Sequence, residues 1–421
     1  MEAVSGTQET SPEAMFTFAH LSDIHFDGYR EGAVFDMDSD IRRELTHDLR
    51  QLLSRTGRLD AILIGGDIAG KGREDEYHAA ATWIDQLCDE FGLPPEMVFC
   101  VPGNHDIHQP AISGDPILQT AQRALLSCTL EELDPLLESL FTSDDHPGLL
   151  LHGLEPYNEF AARYRCEMAL EDQRWTWTGE FGDLKIHLVG LASAILSGPD
   201  DVREASESRL AIGPQARIPR FTDDTVTILL CHHPPNWLRD YEVVAPFFER
   251  AHLQLYGHEH SFDLKRSGAG FRVDAGAVHP SRKEDPWQPS YNLISLHLNT
   301  EGRSEATVDF YPRRLRADQT FAAMEEGEDM RRETISLQPG PPSGGPPLPA
   351  SPAPAADPIE ERQVARRFLA LGRDTRLRIG RDLSLIGEPE EKLPEGVRLR
   401  HVFDQARTEG RLEELMEKIN G

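Results

Sequence analysis

The sequence has few cysteines. It contains five, Cys88, Cys100, Cys128, Cys166 and Cys231, which lie far apart and are odd in number. They form neither paired C-x-x-C zinc motifs nor the even, closely spaced set of a disulfide framework. The sequence therefore indicates a protein whose thiols stay reduced, and we expect a cytoplasmic location.

Long apolar runs are also missing. No stretch approaches the roughly 18 apolar residues that a membrane span needs. Residues 1–14 are polar and lack the basic and apolar segments of a secretory signal, so they are predicted to form a disordered tail. We therefore expect a soluble protein with no membrane partner.

Positive charge is scarce. The chain has 43 Lys and Arg against 72 Asp and Glu, which gives a formal net charge of −29. A field of this sign repels phosphate backbones at long range, so general binding of nucleic acid is disfavoured. A site that handles phosphate in this chain would need a local source of positive charge, and metal ions are the obvious one.

The composition divides the chain into two parts. Residues 338–358 hold nine prolines in a Pro/Gly/Ala/Ser setting, which predicts an extended linker. Residues 359–421 carry 13 basic and 13 acidic residues, so the whole net charge falls on the residues before them. This shift predicts one large domain over residues 15–337 and a small helical domain over residues 359–421.

Apolar strands and amphipathic helices alternate through the first hundred residues. Residues 16–22, 59–64 and 97–101 have strand character, and helical periodicity lies between them. This alternation predicts an α/β fold with a helix-covered sheet. Residues 107–173 break the rhythm and are predicted to be a helical insertion near the mouth of the site.

Polar motifs follow five of the predicted strands. In chain order they are Asp23-x-His25, Gly66-Asp67, Gly103-Asn104-His105-Asp106, His232-His233-Pro234-Pro235 and Gly257-His258-Glu259-His260. Sites in open α/β sheets gather outside the carboxyl ends of the strands, so we expect these side chains to meet. Mixed oxygen and nitrogen donors without thiolates suit Mn, Fe, Zn and similar divalent ions.

These five ordered motifs resemble those of the calcineurin-like metallophosphoesterase superfamily, over roughly residues 16–311. The resemblance implies a four-layer αββα sandwich that holds two divalent metal ions and hydrolyses phosphate esters. The residues it assigns to the first metal are Asp23, His25, Asp67 and His260, and those it assigns to the second are Asp67, Asn104, His232 and His258. Asp67 would bridge the two ions. His105, with Asn104, would contact the substrate, and Asp106 would orient His105 as the second catalytic residue.

The resemblance leaves the substrate open. The His-His-Pro-Pro and Gly-His-Glu-His motifs are similar to those of phosphodiesterases that act on cyclic nucleotides or other small phosphodiesters, which is our first expectation. The insertion at residues 107–173 departs from the compact cyclic-nucleotide enzymes. A nuclease or nucleotidase of a bacterial conflict or signalling system is one alternative. A non-enzymatic adaptor that senses a nucleotide is another.

The C-terminal residues have a pattern of their own. Val402-Phe403-x-x-Ala406 followed by Gly410-Arg411-Leu412 resembles effector-associated domains, which are small death-like helical adaptors of bacterial conflict systems. The resemblance implies that residues 359–421 tether the enzyme to a protein partner. A generic helical bundle used for dimerisation or packing is the alternative.

Overall fold

The computed structural model describes residues 15–27, 37–143, 145–146, 148–169, 173–198, 210–213, 218, 225–299, 304–337, 358–387 and 395–420. The predicted N-terminal tail and residues 338–357 of the predicted linker lie outside this part. Within it, no helix is both long and apolar enough to cross a membrane. All five cysteines are free thiols.

The described residues form thirteen strands and eleven α-helices. The strands are β1 (Met15–Leu21), β2 (Ala61–Ile64), β3 (Val98–Cys100), β4 (Arg174–Phe181), β5 (Leu184–Leu191), β6 (Thr225–Cys231), β7 (Leu253–Tyr256), β8 (Asp263–Ser267), β9 (Gly270–Asp274), β10 (Ser290–Leu298), β11 (Glu305–Leu315), β12 (Phe321–Ala323) and β13 (Arg331–Ser336). The helices are α1 (Met37–Thr56), α2 (Glu74–Phe91), α3 (Gln109–Ser113), α4 (Pro116–Ser127), α5 (Leu130–Phe141), α6 (Glu155–Ala161), α7 (Tyr241–Phe248), α8 (Pro358–Leu369), α9 (Arg373–Asp382), α10 (Glu395–Thr408) and α11 (Leu412–Asn420).

Two sheets form the centre of the fold. The first has the strand order β12-β11-β10-β1-β2-β3, with β13 paired to β11, and the second has the order β4-β5-β6-β7-β9-β8. Strands β1, β2 and β3 run parallel, as do β5, β6, β7 and β9. The carboxyl ends of these parallel strands therefore reach common edges, where the loops that carry the polar motifs begin.

The sheets pack face to face through aromatic side chains. The rings of Phe16 and Phe181 lie 4.6 Å apart, and those of Phe99 and Trp177 lie 5.1 Å apart. Strand β2 is buried at all four positions, as expected for a parallel strand covered on both faces. Helices α1 and α2 add buried leucines and alanines to the same core. The α/β sandwich predicted from the sequence is confirmed.

Helices α3 to α6 occupy the chain between β3 and β4. The first long one, α4, begins at Pro116, and the carboxylate of Asp115 caps it by accepting the backbone N–H groups of Ile117 and Leu118. The last one, α6, packs inward, because the hydroxyl of Tyr157 donates to the carbonyl of Cys100 at the end of β3. The segment predicted as an insertion is therefore built onto the strand that leads to Asn104.

Helices α8 to α11 share a second, smaller core. Val364, Phe368, Phe403 and Leu415 are buried in it. Ala162, from the chain after α6, belongs to the same cluster. The C-terminal helices therefore pack against the N-terminal part at Ala162.

Arginines cross the contact between the two parts in both directions. The buried guanidinium of Arg362 donates to the carbonyl of Val98 at 2.6 Å and to the carbonyl of Tyr164, and it lies 4.0 Å above the ring of Phe99. In the other direction, Arg165 donates to Asp404 at 3.0 Å. The C-terminal helices are therefore docked on the N-terminal part.

Candidate metal centre

The loops after β1, β2, β3, β6 and β7 converge at one edge of the sandwich. Their backbones are joined directly, since the N–H of Asp23 donates to the carbonyl of Gly66 and the N–H of His25 to that of Asp67. The N–H of Gly257 likewise donates to the carbonyl of His232. The structure brings together the nine predicted site residues, which are Asp23, His25, Asp67, Asn104, His105, Asp106, His232, His258 and His260.

One group of candidate ligands comes from the first and last motifs. Asp23, His25 and His260 each offer an atom within 4.8 Å of the others. The Nε2 atom of His260 lies 3.1 Å from Oδ1 of Asp23, and Nε2 of His25 lies 4.0 Å from the same oxygen. These three side chains could hold one ion.

A second group surrounds the amide of Asn104. Its Oδ1 atom lies 3.2 Å from Nε2 of His232 and 3.0 Å from Nδ1 of His258. The other ring nitrogen of His232 is 2.7 Å from the carbonyl of Gly65, to which it donates when protonated, and this leaves Nε2 facing the group. These three side chains could hold a second ion.

Asp67 lies between the two groups. Its ligand atoms cluster with His25 and His105 on one side and with Asp23 and His232 on the other. Asp67 is 1% exposed, and its Oδ2 atom is 3.4 Å from Nε2 of His232. This placement suits a carboxylate shared between two ions.

The candidate ligands adopt backbone conformations that ordinary residues avoid. Eight non-glycine residues of the described part have positive φ, and five of them are predicted ligands: Asp23, His25, Asp67, His258 and His260, at 50° to 71°. The left-handed region costs a non-glycine residue about 1–2 kcal/mol. Such strain gathers at sites where function fixes the direction of a side chain.

Glycines allow the strand-end loops to approach each other closely. A Cβ atom on Gly103 would lie 2.2 Å from Oδ1 of Asp67, and one on Gly257 would lie 2.1 Å from the hydroxyl of Ser22. A side chain at either position would push the loops apart. The glycines that precede Asn104 and His258 are therefore needed to bring these ligands to the carboxylates.

The carboxylates dominate the electrostatics of the cluster. Burial acts to raise the pKa of Asp23, yet His260 and His232 hold that pKa well below its usual value. Burial acts to lower the pKa of His232, but Asp67 raises it to about 9. Against burial, Asp23 and Glu284 raise the pKa of His260 to about 9. The cluster therefore favours positive charge, and a divalent cation supplies it while displacing protons from the imidazoles.

Two other imidazoles are held neutral. Burial and the neighbouring His232 lower the pKa of His258 to about 3, and burial lowers the pKa of His25 to about 4. A neutral imidazole keeps a lone pair on one ring nitrogen, which is the form that binds a metal. The donor set as a whole, with carboxylate, amide and imidazole groups, fits divalent ions such as Mn, Fe or Zn.

Asp106 does not orient His105, contrary to the prediction from the sequence. Its buried carboxylate accepts the backbone N–H groups of Ile68, Ala69 and Gly103 at 2.9–3.2 Å, together with the hydroxyl of Tyr77. The ring of His105 is held by another group, since its Nδ1 atom lies 2.9 Å from the carbonyl of Gly70. Asp106 therefore fixes the loop that carries Asp67 and lies away from the exposed face of the site.

Two residues beside the centre had no signal in the sequence. The carboxylate oxygens of Glu284 lie 2.9 and 3.0 Å from Nδ1 of His260. The ring of Trp237 stands edge-on to His258 at 4.1 Å, and its indole N–H donates to Glu259. Neither residue belongs to one of the five polar motifs, so a search for those motifs passes over both.

Comparison with known families agrees with this geometry. The family model described as calcineurin-like phosphoesterase matches residues 16–262, which is more than half of the chain. The chain belongs to the calcineurin-like phosphoesterase family. A second family model, described as GTPase-associated adaptor domain, matches residues 360–421 of this phosphoesterase. The expectation of a C-terminal adaptor domain is thereby confirmed.

Individual relatives are distant. The uncharacterized metallophosphoesterase-like protein YydB of Bacillus subtilis (strain 168) is 33% identical over 91 residues, which are 21% of this chain and 17% of that protein. The chain thus aligns with less than a fifth of that relative's length. Among solved structures, GAP50 of Plasmodium is 11% identical, with a TM-score of 0.38, and the match covers 77% of this chain and 90% of that one. A putative 5'-nucleotidase from Staphylococcus aureus is 13% identical, with a TM-score of 0.34, and the match covers 85% of this chain and 58% of that one.

Proposed function

We propose that the chain is a dinuclear metal-dependent hydrolase of phosphate esters. The observation that carries the proposal is the pair of ligand groups on either side of Asp67, because four of their members and Asp67 itself are held at positive φ. A core that needed these residues for packing alone would not require the left-handed backbone. Membership of the calcineurin-like phosphoesterase family supports the same reaction.

The two ligand groups would form two metal positions. Asp23, His25 and His260 would hold one ion, and Asn104, His232 and His258 would hold the other, with Asp67 shared. Two such ions supply Lewis acidity, lower the pKa of a water molecule and clamp the oxygens of an in-line displacement. They would also offset the negative field of the chain at the place where the phosphate ester binds.

His105 is the residue of this site best placed to act on the substrate. It is exposed, and its ring stands 4.6 Å from that of His25. Because Nδ1 can donate to the carbonyl of Gly70, Nε2 is the ring atom left to meet a substrate oxygen. From this position His105 would protonate the leaving oxygen or stabilise charge on the phosphoryl group, with Asn104 beside it.

The proposed substrate is a small phosphodiester such as a cyclic nucleotide. The net charge of −29 opposes the approach of a long polyanion more strongly than that of a small one. A nuclease or a nucleotidase would use the same ligands and is the second candidate. A nucleotide-sensing adaptor without catalysis is the third.

We also propose a protein partner for the C-terminal helices. The matching family is described as GTPase-associated adaptor domain, which points to a partner linked to a GTPase. The docking contacts of Arg362 and Asp404 already occupy one side of this unit. The partner would therefore bind residues of α9, α10 or α11 that face away from β3.

Hydrolysis of bis-p-nitrophenyl phosphate with added Mn²⁺ tests the reaction. We expect wild-type turnover, a loss of at least about 100-fold in Asp67→Asn with weakened metal binding, and a loss of about 10²–10⁴-fold in His105→Ala with normal metal content. Asp318→Asn, which alters a fully exposed carboxylate, is the control and should match wild type. A wild-type protein that binds Mn²⁺ without turnover would contradict the hydrolase.

A substrate panel separates the candidates. Cyclic nucleotides, single-stranded DNA and p-nitrophenyl phosphate should be compared by kcat/KM at one ionic strength. The proposal requires the cyclic nucleotides to be the best substrates. Faster cleavage of single-stranded DNA would favour the nuclease, and saturable nucleotide binding without turnover would favour the sensing adaptor.

A further inference from the structure

Glu284 meets a candidate metal ligand from outside the five motifs. Its carboxylate oxygens lie 2.9 and 3.0 Å from Nδ1 of His260. On the opposite side of the same ring, Nε2 lies 3.1 Å from Oδ1 of Asp23. The imidazole is thus held between two carboxylates, one inside the ligand group and one behind it.

The chain holds Glu284 in place through its own backbone. Oε1 accepts the N–H of Ser281 at 2.9 Å, and the N–H of Glu284 donates to the carbonyl of Ser281. Arg282, which follows Ser281 in the chain, donates to Asp38 at 3.0 Å, and its guanidinium lies 4.1 Å from the centre of the Trp287 ring. The turn that carries Glu284 is therefore held by contacts of Arg282 with α1 and with Trp287. The side chain of Glu284 is 24% exposed, and these contacts fix its direction.

The support given to His260 differs from that given to His232 and His105. Nδ1 of His232 faces the carbonyl of Gly65, and Nδ1 of His105 faces the carbonyl of Gly70. A carboxylate behind an imidazole fixes its tautomer and raises the basicity of the ligating nitrogen more than a neutral carbonyl does. Among the candidate ligands, Glu284 contacts His260, which belongs to the group of Asp23 and His25.

We propose that Glu284 is the positioning residue of the metal position formed by Asp23, His25 and His260. By accepting a hydrogen bond from Nδ1–H of His260, it directs Nε2 towards Asp23 and strengthens binding of the ion there. This inference rests on the proposed two-metal site. Removal of a carboxylate behind a metal-binding histidine generally costs about 10–100-fold in metal affinity.

The test measures Mn²⁺ binding to the full chain by calorimetry and by the electron paramagnetic resonance signal of free Mn²⁺. We expect two ions in wild type. In Glu284→Ala the affinity of one position should fall about 10–100-fold while the other stays unchanged. Glu284→Gln keeps an acceptor oxygen without the charge, so it should lose less. Glu259→Gln is the matched control, because it removes a charge beside the same histidines from a carboxylate that contacts the indole of Trp237.

The outcomes separate this inference from the proposed function. A wild-type chain that does not bind two ions would overturn the two-metal site itself. Two ions in wild type, with equal affinities in Glu284→Ala, would overturn the role of Glu284 alone. Equal weakening in Glu259→Gln would also overturn it, because the effect would then come from net charge. The near-isosteric Glu284→Gln variant and a circular dichroism melt show whether any loss comes from unfolding.

Discussion

Substitution of Arg362 by Met should loosen the contact between the C-terminal helices and the rest of the molecule. Met keeps most of the apolar stem that packs on Phe99, but it removes the donors to the carbonyls of Val98 and Tyr164. Two buried carbonyls would then lose their charged partner, whereas wild type keeps them satisfied.

The expected magnitude follows from these contacts. Each hydrogen bond from a charged donor contributes about 1.5–3 kcal/mol. The cost of burying the guanidinium offsets part of this sum, so we take a net loss of about 3 kcal/mol. At 1.4 kcal/mol for each factor of ten, docking should weaken on the order of 100-fold.

Hydrogen exchange measured by mass spectrometry is the assay. Peptides that cover residues 155–166 and 358–369 should lose protection together, because both sides of the contact open. Arg367→Met is the matched control on the same helix, since Arg367 is exposed and its guanidinium lies 3.7 Å from the sulfur of Met416. If Arg362→Met exchanges like Arg367→Met, the guanidinium does not hold the contact and the reasoning is wrong.

Two further predictions concern the loops of the metal centre. Gly103→Ala should lower the melting temperature and weaken Mn²⁺ binding, because the new Cβ would lie 2.2 Å from Oδ1 of Asp67; wild-type calorimetric binding by this variant would contradict the close approach. Asp106→Ala should destabilise the fold by about 1–3 kcal/mol in urea unfolding, because the N–H groups of Ile68, Ala69 and Gly103 would lose their acceptor. An Asp106→Ala protein with wild-type stability but lost turnover would restore the catalytic role predicted from the sequence.

The ligands could be predicted from the sequence because each one follows a strand. Asp23, Asp67 and His258 come directly after, or within three residues of, β1, β2 and β7, and parallel strands deliver their carboxyl ends to one edge. The direction in which each side chain points could not be predicted from the sequence. The partners of Asp106 depend on the backbone path of Ile68 and Ala69, which no local pattern records.

Contacts between residues far apart in the chain also could not be predicted from the sequence. Glu284 lies 24 residues beyond His260 in a turn that has no periodicity. Arg362 reaches Val98 across 264 residues, and its helical pattern does not show which surface the helix covers. The sequence predicted a helical unit after a proline-rich segment, but its docking depends on the complementary shape and charge of two folded surfaces.

The docking of Arg362 has a consequence for how the chain can be shortened. Strand β3 lies at the end of the strand order of its sheet, so one side of its backbone faces outward from the sheet. Side chains cover that side by donating hydrogen bonds to its carbonyls. Arg362 donates to the carbonyl of Val98, and Trp175 and Tyr157 donate to that of Cys100. An uncovered edge strand is a template for pairing with other chains. A chain cut before α8 would expose part of this edge and would therefore tend to aggregate.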